Sequence, residues 1–292
     1  MSTPEPVTVT PAVLREWALP EPGSDKHSRG ELLVVGGSEH TIGAVLLAGE
    51  SSLRAGAGKL ALATVATAAG PLGVAVPEAQ VLGLPSEAEG VAPAAAEQLL
   101  ERAGSADVVL VGPGFADPEA SVALLDRVLP HLDCPVVVDA LASAYLTAHP
   151  DGLHHLEGRA VLTVNPSELA HTAGEDPDEV SQDPLPAARA VAERSGVVVL
   201  CGGTSKHVVT PEGAVWLVEG GGPGLGVSGS GDVQAGIVAG LLARGADPAQ
   251  AAVWGGYLHG RTGERLSAAV GTVGYLAREL PGQVPTVLAE LH

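Results

Sequence analysis

The chain has 292 residues, of which 46% are hydrophobic but only 2% aromatic, so alanine, valine and leucine must fill its core. Its formal net charge of −19 disfavours nucleic acid and anionic membranes as partners. The two distant cysteines, the lack of a signal-like N-terminus and the lack of a long apolar run predict a cytoplasmic protein without a disulfide framework.

Strand-like and helix-like segments alternate along most of the chain. Residues 1–25 contain five prolines and predict an N-terminal arm with one short helix, and residues 26–292 predict a single domain. Strands are predicted at 32–35, 60–64, 108–111, 136–138, 161–163 and 197–200, with helices at 43–57 and 118–129. A hairpin follows at 206–210 and 214–218, and then helices at 233–243, 248–266 and 273–280. This order predicts an α/β fold, with a mostly parallel central sheet, helices on both faces and a helical C-terminal part.

The predicted strands end in residues that are suited to handling ligands. These ends are Gly36-Gly37, Gly112-Pro113-Gly114, Asp139, Asn165-Pro166 and Gly202-Gly203. Ligands bind at the carboxyl ends of strands in open α/β sheets. The sequence therefore predicts one composite site along that edge.

A glycine-rich segment at 224–236 leads directly into an apolar helix, with Asp232 at the helix start. Glycines allow backbone N–H groups to converge on an anion at the positive end of a helix, which predicts phosphate beside a catalytic acid or base. The segment matches G-x-G-x-x-G, but it follows a hairpin instead of a first strand, which argues against a Rossmann dehydrogenase. Gly58-Lys59 lacks the other residues of a P-loop.

Several motifs in one order resemble the ADP- or ATP-dependent NAD(P)H-hydrate dehydratases, which are ribokinase-like proteins. The most specific is Gly-Ser-Gly-Asp-Val-x-Ala-Gly-Ile-x-Ala-Gly-Leu-Leu at 229–242. Further matches are Leu-Val-Val-Gly-Gly-Ser at 33–38, Leu-Arg-Ala-Gly-Ala-Gly at 53–58, Val-Gly-Pro-Gly at 111–114 and Tyr-Leu-His-Gly at 257–260.

The resemblance implies a ribokinase-like domain that uses ADP or ATP, with Mg²⁺, to remove water from hydrated NADH or NADPH. Asp232 would deprotonate the substrate hydroxyl, which would then attack the terminal phosphoryl group, and loss of phosphate would restore the nicotinamide ring. The implied substrate contacts are Ala44, Gly114, Asn165 and Asp232, and the implied nucleotide contacts are Cys201, Gly202, Gly203, Thr204, Ser205, Gly229, Ser230 and Gly231. Family members often self-associate, although no feature of this sequence identifies an interface.

Five positions depart from the family pattern. Asn165 replaces a substrate-contacting histidine, and Cys201 replaces the lysine of Lys-Gly-x-x-Thr near the nucleotide phosphates. Thr41 replaces a tyrosine, Leu141 an aspartate and Gly222 an asparagine. These departures predict altered substrate, altered nucleotide use or lost activity.

Asn165-x-x-Glu168 resembles a pattern of ribokinase-type kinases in which the glutamate organises Mg²⁺ through water. The same residues could simply cap a helix. Two further functions therefore stay open, a small-molecule kinase of a vitamin precursor or sugar, and a non-catalytic nucleotide-binding relative.

Other polar side chains predict structural roles. Cys201 and His259 are expected to pack, because Cys201 ends an apolar strand without an evident basic partner. Lys206 could replace the missing lysine, but its position on a hairpin strand predicts an exposed side chain.

Overall fold

Within residues 5–87 and 89–291, which the computed structural model describes, ten strands form one central sheet. In chain order the strands are β1 (Val7–Thr8), β2 (Glu31–Val35), β3 (Lys59–Val65), β4 (Ala79–Leu84), the separate pair β5 (Ser86–Glu87) and β6 (Gly90–Val91), β7 (Val108–Val111), β8 (Val136–Asp139), β9 (Ala160–Val164), β10 (Val198–Cys201), β11 (Ser205–Val209) and β12 (Val215–Glu219). Their spatial order in the sheet is β1-β12-β11-β10-β9-β8-β7-β2-β3-β4.

The sheet is mostly parallel, as predicted. All neighbours from β10 across to β4 run parallel, whereas β11 pairs antiparallel with both β10 and β12. The β11–β12 pair is the hairpin predicted from the sequence. Since parallel strands share one carboxyl edge, the loops after β8, β9 and β10 emerge side by side.

Helices cover both faces of the sheet. They are α1 (Pro11–Glu16), α2 (Ile42–Ala55), α3 (Ala66–Ala75), α4 (Ala96–Ala103), α5 (Pro118–Val128), α6 (Ala144–Ala148), α7 (Pro166–Ala173), α8 (Pro177–Gln182), α9 (Leu185–Ser195), α10 (Ser230–Ala243), α11 (Pro248–Ala269) and α12 (Val284–Ala289). No helix in the described ranges combines the length and the apolar character needed to cross a bilayer.

The strands pack apolar side chains on both faces, which explains their continuous hydrophobic runs. On β2, Leu32 and Val34 belong to one buried cluster with α2, α10 and α11. Leu33 and Val35 belong to a second cluster, with α4, α5 and α9. Alternation along each strand thus supplies two cores from one sheet.

The predicted strands and most predicted helices are confirmed, with ends that differ by a few residues. The prediction of a helix at 273–280 is wrong, because only a short turn at Ala277–Glu279 is helical there. Gly271 and Gly274 have φ values of +146° and +103°, which are incompatible with a right-handed helix through this segment.

The N-terminal segment contributes to the edge of the sheet. β1 runs parallel to β12, and Trp17, just after α1, stacks on Trp216 of β12 with ring centroids 5.4 Å apart. The indole N–H of Trp254 donates a 2.9 Å hydrogen bond to the carbonyl oxygen of Trp17. Residues that the sequence predicted as an arm therefore lie against β12 and α11.

Helices α2 and α10 pack closely through glycines. A Cβ atom on Gly236 would lie 2.2 Å from the carbonyl oxygen of Ala48, and one on Gly240 would lie 2.4 Å from that of Ser52. Four residues further along α10, from Gly236 to Gly240, the contact moves four residues further along α2, from Ala48 to Ser52. The two helices therefore run parallel in a fixed register. One turn earlier, the same register sets Asp232 opposite Ala44.

Candidate active site

A cavity of about 770 Å³ opens at the carboxyl ends of β8, β9 and β10. Asp139, Asn165 and the segment 202–204 line it from these strand ends. The loop 222–227 and the first turn of α10 line the opposite side of the cavity. Three of the strand ends that the sequence predicted to form a site therefore meet at one cavity.

The first turn of α10 brings backbone amides and a carboxylate to this cavity. Gly229 is the N-cap residue, with φ +89°, and a Cβ atom there would lie 2.5 Å from the side chain of Leu47. Ser230, Gly231 and Asp232 follow as the first three helical residues, and all three line the cavity. Asp232 therefore lies within the first turn of the helix instead of at the N-cap, at the end where N–H groups lack helical partners.

Three carboxylates share the cavity. Burial, followed by the charge of Asp232, raises the pKa of Asp139 well above its ordinary value, and Thr163 donates a 2.7 Å hydrogen bond to it. Burial also raises the pKa of Glu168. For Asp232, burial and then the charge of Glu168 raise the pKa to about 6. At neutral pH Asp232 is therefore mostly ionised and able to accept a proton.

Glu168 caps helix α7 while lining the cavity. Its Oε2 accepts a 2.9 Å hydrogen bond from the N–H of Asn165, and the Asn165 Oδ1 accepts one of 2.9 Å from the N–H of Glu168. This capping box confirms the structural alternative for the Asn-x-x-Glu pattern. Across residues 5–87 and 89–291, no three or more histidine, cysteine, aspartate and glutamate side chains are grouped as metal ligands.

A second polar group lies on the wall formed by α10, α11 and β11. Ser230 Oγ and His259 Nε2 are 2.9 Å apart, and burial lowers the pKa of His259 to about 3, so the ring is neutral. Gln234, one turn after Ser230, and Lys206 of β11 also line this wall. The buried Oε1 of Gln234 has no hydrogen-bond partner among the described residues.

Lys206 is buried, with 2% of its surface exposed, so the prediction of an exposed side chain is wrong. The reason is that α11 covers this face of the hairpin. A sequence signal was available in Gly256 and Gly260, which are four residues apart on α11 and leave room for a long side chain. Neither Lys206 nor Gln234 was among the predicted site residues.

The predicted nucleotide contacts divide into two groups. Gly202, Gly203 and Thr204, together with Ser230 and Gly231, line the cavity. The cavity lining does not include the other three, which are Cys201, Ser205 and Gly229. The Cys201 side chain is fully buried, and burial raises the pKa of its thiol to about 12, which confirms the expected packing role.

The predicted substrate contacts also lie in two places. Asn165 and Asp232 line the cavity, whereas Ala44 and Gly114 do not. Ala44 and Gly114 contact each other, since a Cβ atom on Gly114 would lie 3.0 Å from that of Ala44. By the register of α2 and α10, this pair adjoins the end of α10 that bears Asp232.

The remaining departures from the family pattern occupy different surroundings. Thr41, an exposed residue, donates a 2.5 Å hydrogen bond to the carbonyl oxygen of Gly114, and so ties the start of α2 to the loop after β7. Gly222 is exposed and lines the cavity. Leu141 is half-buried beside Asp139 in the chain, and nothing in the structure explains why it replaces an acid.

Comparison with known proteins identifies a family of similar sequences. The sequence model of a family described as NAD(P)H-hydrate dehydratase matches residues 32–286. A protein of Xanthomonas campestris named ADP-dependent (S)-NAD(P)H-hydrate dehydratase is 43% identical over 291 residues, which cover 100% of this chain and 99% of that protein. A bifunctional NAD(P)H-hydrate repair enzyme of Moorella thermoacetica is 35% identical over 93% of this chain, which spans only 52% of that protein.

A solved structure agrees with these sequence matches. The ADP/ATP-dependent NAD(P)H-hydrate dehydratase of Bacillus subtilis, co-crystallised with ATP and Mg²⁺, superposes with a TM-score of 0.80 at 26% identity. The superposition covers 97% of this chain and 98% of that one.

Proposed function

Because this chain belongs to the NAD(P)H-hydrate dehydratase family, we propose that it uses ADP or ATP to convert hydrated NADH or NADPH into the reduced cofactor. The observation that supports this most strongly is the position of Asp232. Its carboxylate lines the cavity at the N-terminal end of α10, in register with the Ala44–Gly114 contact.

Asp232 acts as the general base. It takes the proton of the substrate hydroxyl, and the resulting oxygen nucleophile attacks the terminal phosphoryl group of the nucleotide, releasing AMP from ADP or ADP from ATP. The phosphate then leaves with the C–O bonding electrons, loss of a ring proton forms the double bond, and the dihydronicotinamide ring is restored. A pKa of about 6 suits this role, since the group is ionised at neutral pH but still basic.

Backbone amides hold the nucleotide. The N–H of Gly231, in the first turn of α10, binds a phosphate oxygen at the positive end of the helix, whereas the N–H of Ser230 donates to the carbonyl oxygen of Val227. The segment Gly202–Thr204 faces the same cavity after β10 and binds another part of the nucleotide. Cys201, Ser205 and Gly229 adjoin these segments without lining the cavity, and they hold the nucleotide-binding loops in place.

The hydrated cofactor lies on the other side of Asp232. Ala44, Gly114 and Asn165 contact the hydrate around the end of α10, with the small residues leaving space for the ring. Asn165 holds its helix cap with Oδ1, so its NH₂ group remains the donor for a substrate oxygen.

The carboxylates fit Mg²⁺ as an additional component. Beyond the effect of burial, the charges of Asp232 and Glu168 raise the pKa of Asp139, and the charge of Glu168 raises that of Asp232, so a cation would relieve this repulsion. Mg²⁺ commonly takes one or two carboxylates together with phosphates and waters. Glu168 would hold it through water, and the ion would neutralise charge on the transferring phosphoryl group.

The small-molecule kinase alternative uses the same base and differs in its product. Supplying hydrated NADH with ADP, with ATP or without nucleotide distinguishes the functions. We expect nucleotide-dependent recovery of the reduced-nicotinamide absorbance, and loss of recovery in Asp232→Asn. Nucleotide consumption on an alcohol, without recovery of reduced nicotinamide, would instead identify a kinase. Nucleotide-induced thermal stabilisation without any turnover would identify a non-catalytic relative.

A further inference from the structure

Lys206 extends along helix α11 to the wall of the cavity. Its side chain lies against two glycines, because Cβ atoms built on Gly256 and Gly260 would lie 3.5 Å from its Cδ and 3.6 Å from its Nζ. Only 2% of the residue is exposed, yet it contributes to the cavity lining. The stem is thus buried between β11 and α11, and the ammonium group is at the cavity.

This ammonium group lacks a partner. No hydrogen bond or ion pair joins its Nζ to any residue in 5–87 or 89–291. Glu264 on α11 interacts with it only by electrostatic attraction at longer range. The neighbouring His259 is neutral. A buried cation without a partner is costly, so a counter-charge from outside the protein would be strongly favoured.

The rest of the cavity carries the opposite charge. Asp139, Glu168 and Asp232 line it, and among the described lining residues Lys206 is the single lysine or arginine. The whole chain has a net charge of −19, which adds no attraction for an anion. Among the side chains that line this cavity, Lys206 is therefore the one that can give an anionic ligand a cationic contact.

We propose that Lys206 binds a phosphate oxygen of the adenine nucleotide, an inference that rests on the proposed function. Lys206 on β11 then supplies the cation that is missing at Cys201 on the neighbouring antiparallel strand β10. Nucleotide phosphate and Lys206 form a charge-assisted hydrogen bond inside a partly dry cavity, where such contacts are strongest.

The ionisation of Lys206 provides a specific signature. Burial lowers its pKa to about 8, partly offset by the charge of Glu264, so much of the group is neutral in the free protein at about pH 8.5. A bound phosphate raises that pKa, and binding therefore takes up protons. His259, with its pKa of about 3, and Asp232, with its pKa of about 6, do not contribute at this pH. Burial raises the pKa values of Asp139 and Glu168 in the same cavity, and proton uptake by these carboxylates would persist in Lys206→Met.

The test is calorimetric titration of ADP and of adenosine into the wild-type protein, Lys206→Met and the control Lys26→Met, which removes an exposed lysine. We expect Lys206→Met to bind ADP about 10- to 100-fold more weakly and adenosine with unchanged affinity, while Lys26→Met matches the wild type. Methionine keeps the apolar stem and removes the unpaired charge, so the variant should have a raised thermal midpoint.

Titration of the wild type and Lys206→Met in buffers of different ionisation enthalpy supplies a second measurement, because only the wild type has the proton uptake of Lys206. At about pH 8.5 we expect proton uptake on ADP binding. Equal ADP affinity in the wild type and Lys206→Met, or no greater proton uptake by the wild type than by the variant, would overturn the assignment of Lys206 while leaving the dehydratase function standing. Failure of the wild type to bind either ADP or ATP would overturn both.

Discussion

Burial makes the carboxylate of Asp232, the base of the proposed reaction, costly to ionise. Only the ionised form can accept the substrate proton. We therefore predict that kcat/KM for the hydrate is constant above about pH 6 and falls about tenfold per pH unit below it. A pH profile of the initial rate measures this, and a midpoint near pH 4 would contradict the buried setting of Asp232.

The same pKa has a consequence for stability. Because the folded-state pKa is raised from 3.8 to about 6, the folded protein binds the proton more tightly, and this stabilisation is lost as pH rises between these values. Asp232→Asn should therefore raise the free energy of unfolding by on the order of 2 kcal/mol at pH 8 and by little below pH 4. Thermal midpoints at both pH values test this.

The matched control is Asp178→Asn, which removes an exposed carboxylate in α8. It should leave both the midpoint and the activity unchanged. If Asp232→Asn were inactive and also less stable than the wild type at pH 8, loss of activity would reflect a structural defect and not the loss of a base.

Among the elements, the contact between α2 and α10 determines the geometry of the site. It sets the first turn of α10, which includes Asp232, against the start of α2, and it leaves no room for a side chain at Gly236. We predict that Gly236→Ala lowers the free energy of unfolding by about 1–3 kcal/mol, because Cβ would overlap the backbone of Ala48. Denaturant unfolding measures the loss.

Gly70→Ala is the control, since Gly70 lies inside α3 and an added Cβ would have nothing within 4 Å. Alanine there should be neutral or stabilising by up to about 1 kcal/mol. Equal effects of the two substitutions would show that the close packing of α2 and α10 is not required.

The capping box of α7 separates a structural from a chemical role for Glu168. Glu168→Gln retains an oxygen that can accept from the Asn165 N–H but removes the charge. We predict an unchanged thermal midpoint and an Mg²⁺ concentration for half-maximal activity raised about 3- to 10-fold.

Glu279 supplies the comparison, because it makes a similar bond to the N–H of Leu276 and does not line the cavity. Glu279→Gln should leave the Mg²⁺ requirement as in the wild type. An unaltered requirement in Glu168→Gln would assign Glu168 to capping alone.

For the whole molecule, local sequence patterns predicted the parallel sheet well. β7, β8 and β10 are apolar on both faces, since both are covered, and each therefore appears as an unbroken hydrophobic run. The motif at 229–242 likewise predicted the glycine-rich start of α10, where Gly229 has a φ of +89°, although Gly236 and Gly240 of the same motif serve the contact with α2.

Features that depend on distant segments escaped prediction. β4 is an edge strand with an exposed Gln80, so its short sequence lacks a clear pattern, and only pairing with β3 identifies it. Lys206 looked exposed because a hairpin alone leaves one face open, and the helix that buries it comes later in the chain. The polar wall of the cavity, formed by Lys206, Ser230, Gln234 and His259, could not be predicted either, because it also depends on the packing of α11 against β11.

The central claim is that phosphoryl transfer at Asp232 leads to loss of water from the hydrate. Parallel measurement of inorganic phosphate and reduced nicotinamide, with ADP and hydrated NADH, tests it most directly. We predict one phosphate released for each NADH recovered, AMP as the second product, and neither phosphate nor NADH with Asp232→Asn. A stable phosphorylated product without phosphate release, or undiminished recovery with Asp232→Asn, would contradict the account.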